Sequence, residues 1–344
     1  MIAYKHLLIR IPIFGLIFLL PFILAVISAG IGYLKISPED VAKSILKQIN
    51  SMIFGLNEEM STADVVIFQI RLPRIVLAGI VGCSLAVSGA VLQSLFKNPL
   101  VEPYILGISS GAAFGAALAI GFGFLGGSVQ LLAFIFGIIS VFLAYSMAKV
   151  GGEVPVVNLV LAGIIVSALF TALTSLVKFF VDPHQLAGIV YWIMGSFSYA
   201  TWSNIAIVTP PILICLLLIT AMSWRLNVLS LSDEEAKALG VNVNRDRFTV
   251  LCLATLMTSC AVSVSGIIGW VGLLIPHIVR LAFSSDNRVV IPVSASLGAS
   301  FMILADDIAR SAFSFELPIS VLTTVLGAPV FMILVRKRAR RVWS

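Results

Sequence analysis

The chain has 344 residues, of which 60% are hydrophobic and 11% charged, and its mean hydropathy is +1.10. Soluble domains are about half apolar and about a quarter charged, so this composition cannot coat a water-facing surface and is that of an integral membrane protein. The formal net charge of +6 is then a matter of topology, because Lys and Arg accumulate on cytoplasmic loops.

A membrane-crossing helix needs about 20 apolar residues. Charge-free stretches run from Ile11 to Leu34, Ile75 to Phe96, Pro103 to Ala148, Val154 to Val177, Pro183 to Trp224, Phe248 to Val279, Val289 to Ala305 and Leu317 to Val335. The third holds two passes, with Gly121, Gly123, Gly126 and Gly127 as the turn between them. The fifth holds a short helix near Ala187–Phe197 before a span from about Ser203, and the sixth holds one span plus the start of another that continues through Arg280. Ten spans result, in an all-α polytopic fold forming a single domain over residues 1–344. The N-terminal basic residues and long apolar run read as a retained first helix rather than a cleaved signal. With that end inside, 15 of the 22 Lys and Arg residues fall on the cytoplasmic side. The other seven are Lys35, Lys43, Lys47, Arg71, Arg74, Lys178 and Arg310. Both termini are therefore expected in the cytoplasm, and the basic tail Arg336–Arg341 reads as a topology anchor.

Two extramembrane segments carry helix signals. Outside, Ser37-Pro38-Glu39-Asp40 supplies an N-cap, a first-turn proline and acids at the positive helix end. Val41, Ile45, Leu46 and Ile49 then recur at helical spacing, which lays this helix on the membrane surface. Inside, Ser232-Asp233-Glu234-Glu235 fits a capping box, Gly240 a C-terminal stop, and Asn244 a cap for the following helix. A faint repeat pairs Ala86-Val87-Ser88-Gly89 before Pro99 with Val264-Ser265-Gly266 before Pro276. The copies lie five spans apart and would be inverted in the membrane, as in many transporters.

Several kinds of chemistry are absent. No GxxxxGK[ST] phosphate loop or HExxH motif occurs. The cysteines Cys83, Cys215, Cys252 and Cys260 sit in apolar runs without CxxC spacing, as buried small residues do. His277, after Pro276, suits a structural hydrogen bond better than a proton relay. Intramembrane acid pairs are missing: Asp306 and Asp307 stand at an outer span end, where Arg310 can pair with them at i+4 and i+3. Glu102 and Glu153 fall in expected cytoplasmic loops. A secondary transporter would need a coupling-ion site and an intramembrane enzyme would need paired polar residues at depth; the sequence supplies neither. The outer arginines Arg71, Arg74 and Arg310 read either as snorkelling anchors or as a positive patch for an acidic partner.

Eight stretches, in order over roughly residues 65 to 335, resemble the FecCD-type (type II) permeases of ABC importers for iron siderophores, haem and cobalamin. They are Arg71-Leu72-Pro73-Arg74, Ala86–Gln93 (AVSGAVLQ), Asn98–Pro103 (NPLVEP), Leu106–Gly111 (LGISSG), Leu161-Ala162-Gly163, Tyr191–Ser196 (YWIMGS), Gly269–Arg280 (GWVGLLIPHIVR) and Leu317–Phe331 (LPISVLTTVLGAPVF).

The resemblance implies a non-enzymatic membrane subunit that pairs with a second copy of itself. It also implies docking of two cytoplasmic ATPase chains, which use the ATP and Mg, and substrate delivery by an extracytoplasmic binding protein. Neither a metal or cofactor of its own nor nucleic acid is implied. By the same match the loop Leu229 to Arg247 holds the coupling helix, with Ser232, Asp233, Glu234, Glu235, Ala236, Leu239 and Gly240 facing the ATPase. Arg71, Arg74 and Arg310 carry over as binding-protein docking residues. Asn98 and Leu100, with Val156 and Val157 before the fifth span, carry over as the cytoplasmic gate. Relatives can place hydroxyl residues at the last two positions, where this chain has valines; bulky apolar side chains can also seal a pore by excluding water. Gly89, Gln93, Ser109, Ser110, Thr323 and Thr324 are the candidates for lining the pathway. The family carries siderophores, haem, cobalamin and, in some members, molybdate or tungstate, and an iron chelate is the expectation by family frequency.

Overall fold

A computed structural model describes residues 2–32, 34, 36–54, 61–123, 128–152, 154–313 and 315–342. Gly126, Gly127 and Glu153 lie outside the described residues. The helices in chain order are α1 (Ile2–Gly30), α2 (Pro38–Phe54), α3 (Thr62–Val65), α4 (Leu72–Leu95), α5 (Ile108–Gly121), α6 (Ser128–Ala148), α7 (Val156–Phe180), α8 (Pro183–Met194), α9 (Trp202–Ala221), α10 (Ser223–Leu229), α11 (Asp233–Ala238), α12 (Val243–Ser265), α13 (Val271–Ala282), α14 (Asn287–Ser311) and α15 (Ile319–Val342). A π-helical stretch, Val66–Arg71, joins α3 to α4 without a break. Among the described residues six helices are long and apolar enough to cross a membrane, and four further apolar stretches, Phe14–Gly30, Ile108–Gly121, Val271–Ala282 and Ile319–Leu334, stand where the sequence places further spans. Together they accommodate the ten expected crossings.

The centre of the bundle is α4, whose face from Leu77 to Leu95 is almost wholly buried. It packs most extensively on α14 and also meets α12 and α13. Transmembrane helices have no hydrophobic drive toward one another, so small residues that let backbones approach set such contacts. Gly82 and Gly298 do this reciprocally: a Cβ built on either would fall within 2.4 Å of the other's carbonyl oxygen. Gly89 lies as tightly on α13, where a Cβ would stand 1.8 Å from the Gly272 oxygen. Hydroxyls close further contacts, with Ser84 Oγ donating to Met257 O at 2.8 Å and Ser88 Oγ to Ala254 O at 3.2 Å.

α5 is only 14 residues long, about 21 Å at 1.5 Å per residue. It is preceded by a non-helical run and a 3-10 turn at Pro103–Leu106. A second interruption, residues 266–270, separates α12 from α13. The two breaks satisfy each other. Tyr104 Oη donates to Ile268 O at 2.7 Å and accepts from Ile268 N at 3.2 Å. Glu102 Oε1 accepts from the Trp270 N–H at 3.1 Å, steadying a non-glycine residue at φ +73°. Irregular backbone among membrane helices is tolerated where protein supplies its partners. Glu102, expected in a cytoplasmic loop, is instead folded into the α12–α13 junction. The repeat segments differ locally: Ala86–Gly89 is mid-helix in α4, whereas Gly266, at φ +70°, ends α12.

Other helix boundaries follow caps rather than charge gaps. The short helix expected near Ala187–Phe197 begins at Pro183, because Asp182 and Gln185 form a capping box. Asn242, not Asn244, caps α12, its side chain accepting from the Arg245 N–H at 3.1 Å. The helix expected from Ser37 onward forms as α2, with Ser37 Oγ accepting from Asp40 N at 3.1 Å. It is pinned by Asp64, which accepts from Ser44 at 2.5 Å and pairs with Lys47 at 3.2 Å.

Candidate functional site

Three groups of expected residues fall at distinct places. The segment expected to couple to an ATPase folds as α11, six residues long. Ser232 Oγ accepts from Glu235 N at 3.3 Å, and Glu235 Oε2 accepts from Ser232 N at 2.9 Å, completing the capping box. Gly240 takes φ +79°, letting its N–H reach Lys237 O at 3.0 Å and the Val241 N–H reach Ala236 O at 3.1 Å. Only glycine adopts that conformation cheaply. Ala236 is buried against the bundle, while Glu234 and Leu239 are exposed, Leu239 at 54%. α11 is thus a short rigid peg with one face fixed inward and an acid and a leucine outward.

The expected gate residues lie on two other segments. Lys97 adopts φ +52° at the end of α4. The Asn98 N–H then donates to Gln93 O at 3.1 Å, and the Asn98 side chain accepts from Leu100 N at 3.0 Å. Asn98 therefore closes the Pro99 turn with its side chain, an Asx-type use, and leaves Leu100 exposed at 55%. Val156 and Val157 open α7 after the N-cap Pro155, and Val157 is exposed at 68%.

Residues that sequence reasoning did not single out join these segments. Arg247, almost fully buried, donates to Asp233 from Nη2 at 2.9 and 3.2 Å and to Val154 O from Nη1 at 3.4 Å. Lys97 Nζ reaches the same Asp233 carboxylate at 3.5 Å. Nearby, Arg225 pairs with Asp246 at 3.0 Å, and Asn227 donates to Asp286 at 2.6 Å. α10 is thereby tied to both α12 and α14. Arg280 reaches Ser94 Oγ at 2.8 Å and Asn287 Oδ1 at 3.2 Å, linking α13, α4 and α14.

At the opposite end the three arginines gather, but inward. Arg74 donates to both Asp306 oxygens at 2.7–2.8 Å and pairs with Glu316 at 2.5 Å. Arg310 pairs with Asp307 at 2.5 Å, as its spacing suggests, and stands 3.7 Å from Asp306. Ser28 Oγ donates to Asp307 at 2.5 Å. Arg71 bonds the carbonyls of Ala29, at 2.7 Å, and Leu34. The Arg71 and Arg74 residues are 4% and 8% exposed, so the patch is a buried network joining α1, α4 and α14.

The pathway candidates divide. Gly89 and Gln93 are buried in the α4–α13 contact, where Gln93 Nε2 donates to Leu273 O at 3.1 Å. Thr323 is also buried, Ser109 and Ser110 are half-buried, and Thr324 is exposed. No group of three or more His, Cys, Asp or Glu residues able to hold a metal ion occurs among the described residues. His277 is buried beside Phe331, their rings 5.5 Å apart.

Comparison with known proteins adds the family. A profile described as the FecCD transport family matches residues 19–337. The molybdate import system permease protein MolB of Haemophilus influenzae is 41% identical over 95% of this chain and 96% of its own length. A protein of Helicobacter pylori, assigned as an iron chelatin transport system permease, is 39% identical over 90% of this chain and 94% of its own. A solved ABC transporter assigned to the metal-chelate type, in an inward-facing conformation, superposes with a TM-score of 0.83 at 41% identity, covering 94% of this chain and 98% of that one. With an all-helical bundle and a family match across almost its whole length, the chain belongs to the FecCD transport family and is a non-catalytic, membrane-spanning permease subunit of an ABC transporter.

Proposed function

We propose that the chain is the translocating subunit of an ATP-driven importer for a metal chelate, with a ferric siderophore or haem as the leading cargo. The observation that carries the proposal is α11, a capped helix with exposed Glu234 and Leu239, tied through Asp233 to Lys97 beside one gate segment and through Arg247 to Val154 beside the other. Such a peg suits a partner that pushes. On this reading two copies of a cytoplasmic ATPase bind α11 of a permease homodimer and hydrolyse ATP with Mg. Both termini face the cytoplasm, and the whole chain acts as one domain.

Leu100 and Val157, exposed in the single chain, are apolar enough to seal a pathway by excluding water when two copies meet. Ser109, Ser110 and Thr324 keep accessible hydroxyls for the cargo to pass. Gly89, Gln93 and Thr323 serve the path through packing and internal hydrogen bonds.

An extracytoplasmic binding protein delivers cargo at the end where Arg71, Arg74 and Arg310 cluster. Because those guanidinium groups already have partners, docking opens the rim of the network. Glu316, at 34% side-chain exposure, is the carboxylate that an incoming acidic residue would displace or join.

A second reading, import of molybdate or tungstate, is favoured by the 41% identity to MolB over 95% of the chain. Cobalamin is a further cargo within the same family reading. Titrating the co-purifying binding protein with molybdate, a ferric siderophore, haem and cobalamin separates them. Tight binding of a ferric chelate or haem supports the leading cargo. Tight binding of molybdate alone replaces it.

A further inference from the structure

Three cytoplasmic segments converge on one carboxylate. Asp233 is the first residue of α11. It accepts from Arg247 Nη2 at 2.9 Å and faces Lys97 Nζ at 3.5 Å. Lys97 immediately precedes the Asn98–Leu100 turn, and its backbone is held at φ +52°. Arg247 reaches in the other direction to Val154 O at 3.4 Å, two residues before α7 opens with Val156 and Val157. The Arg247 residue is 5% exposed and its Nε has no hydrogen-bond partner, so its terminal nitrogens carry the pairing.

We infer that Asp233 is a positioning residue for transport, the junction through which movement of α11 reaches both gate segments at once. The inference rests on the importer reading above and deepens it.

The physical argument is one of stiffness and cost. A buried guanidinium stripped of its carboxylate is strongly disfavoured, so Arg247 follows Asp233 when α11 shifts. The Val154 carbonyl is drawn along with it. The Lys97 pair is more exposed and weaker, but it sits on a turn already closed by Asn98 and needs little force to register a displacement. α11 itself does not depend on Asp233 for its start, because Ser232 and Glu235 form the cap. The charge can therefore be removed while the helix stays.

The test uses the assembled complex of permease dimer and ATPase. Spin labels at Leu100→Cys, in a chain with Cys83, Cys215, Cys252 and Cys260 replaced by alanine, report the separation of the two gate turns. It is read before and after trapping with ATP and vanadate. The expected result is a clear shift in that background. Asp233→Asn should lose about half of the shift or more, and Asp233→Glu should restore it. Lys97→Met, which does not leave Arg247 unpaired, should reduce the shift in the same direction. An undiminished shift in both Asp233→Asn and Lys97→Met overturns the inference. A background complex that shows no nucleotide-dependent shift contradicts the ATP-driven reading instead.

Discussion

Arg74 on α4 grips Asp306 on α14 through two nitrogens, with side-chain exposures of 10% and 1%. The pair spans 232 residues of sequence and fastens one end of the central helix contact. Removing Asp306 leaves Arg74 only the partly exposed Glu316, and breaking a buried pair costs up to about 3–5 kcal/mol. Asp306→Asn should therefore lower the melting temperature of the purified permease markedly. Arg74→Met with Asp306→Leu should cost less than Asp306→Asn alone. A double variant as damaged as the single would show that the charges do more than compensate each other.

Close backbone approach predicts a second sensitivity. Gly298→Ala puts a methyl 2.4 Å from the Gly82 oxygen and 2.5 Å from the Ala86 Cβ. Overpacking of this kind costs about 1–3 kcal/mol or more. Thermal unfolding in detergent should show the loss. Gly15→Ala, with nothing within 4 Å of the added carbon, should leave the melting temperature within a degree or so of the parent.

The exposed face of α11 can be probed without breaking its cap. Glu235 closes the capping box, so Glu235→Lys mixes cap loss, about 1 kcal/mol, with any effect on docking. Glu234→Lys and Leu239→Ser avoid that confusion. Together they should weaken ATPase binding about tenfold, measured by co-purification and by titration of the ATPase onto the permease. Intact binding with intact fold would move the contact elsewhere.

Acid should leave the coupling link unaffected over a wide range. Burial acts to raise the Asp233 pKa, and the charges and hydrogen bonds of Arg247 and Lys97 outweigh it, so the carboxyl titrates below its ordinary value. A group depressed in the folded state contributes stability that is present above its unfolded pKa, about 3.9, and lost as pH falls through the folded value. The vanadate-trapped gate shift should therefore be flat from about pH 5 to about pH 8. A midpoint near neutrality would assign the link to another titrating group.

Much of this architecture is readable from the chain. The gaps between charges mark the crossings, and the Ser232–Glu235 spacing gives α11 because a capping box is local chemistry. Arg310 with Asp307 is readable for the same reason, being one helical turn apart. Arg74 with Asp306 is not, since nothing local to either residue predicts that α4 and α14 touch there. The burial of Arg74 follows from that contact, and that of Arg71 from the Ala29 and Leu34 carbonyls it bonds. The Asp182–Gln185 box and the Asn242 cap are local, but charge gaps mask them by drawing attention to where apolar runs start. Arg247 stays hidden because its role comes from reaching Val154, 93 residues away. Glu102 looked like a loop acid until the α12–α13 break supplied its partner, the Trp270 N–H.

The most direct test of the central claim is uptake into proteoliposomes holding the permease with and without its ATPase, supplied with binding protein and its identified cargo. Uptake should require the ATPase chain, Mg and ATP together, and should stop when any one is omitted. Accumulation by the permease alone, driven by a proton or sodium gradient, would contradict the ATP-driven importer.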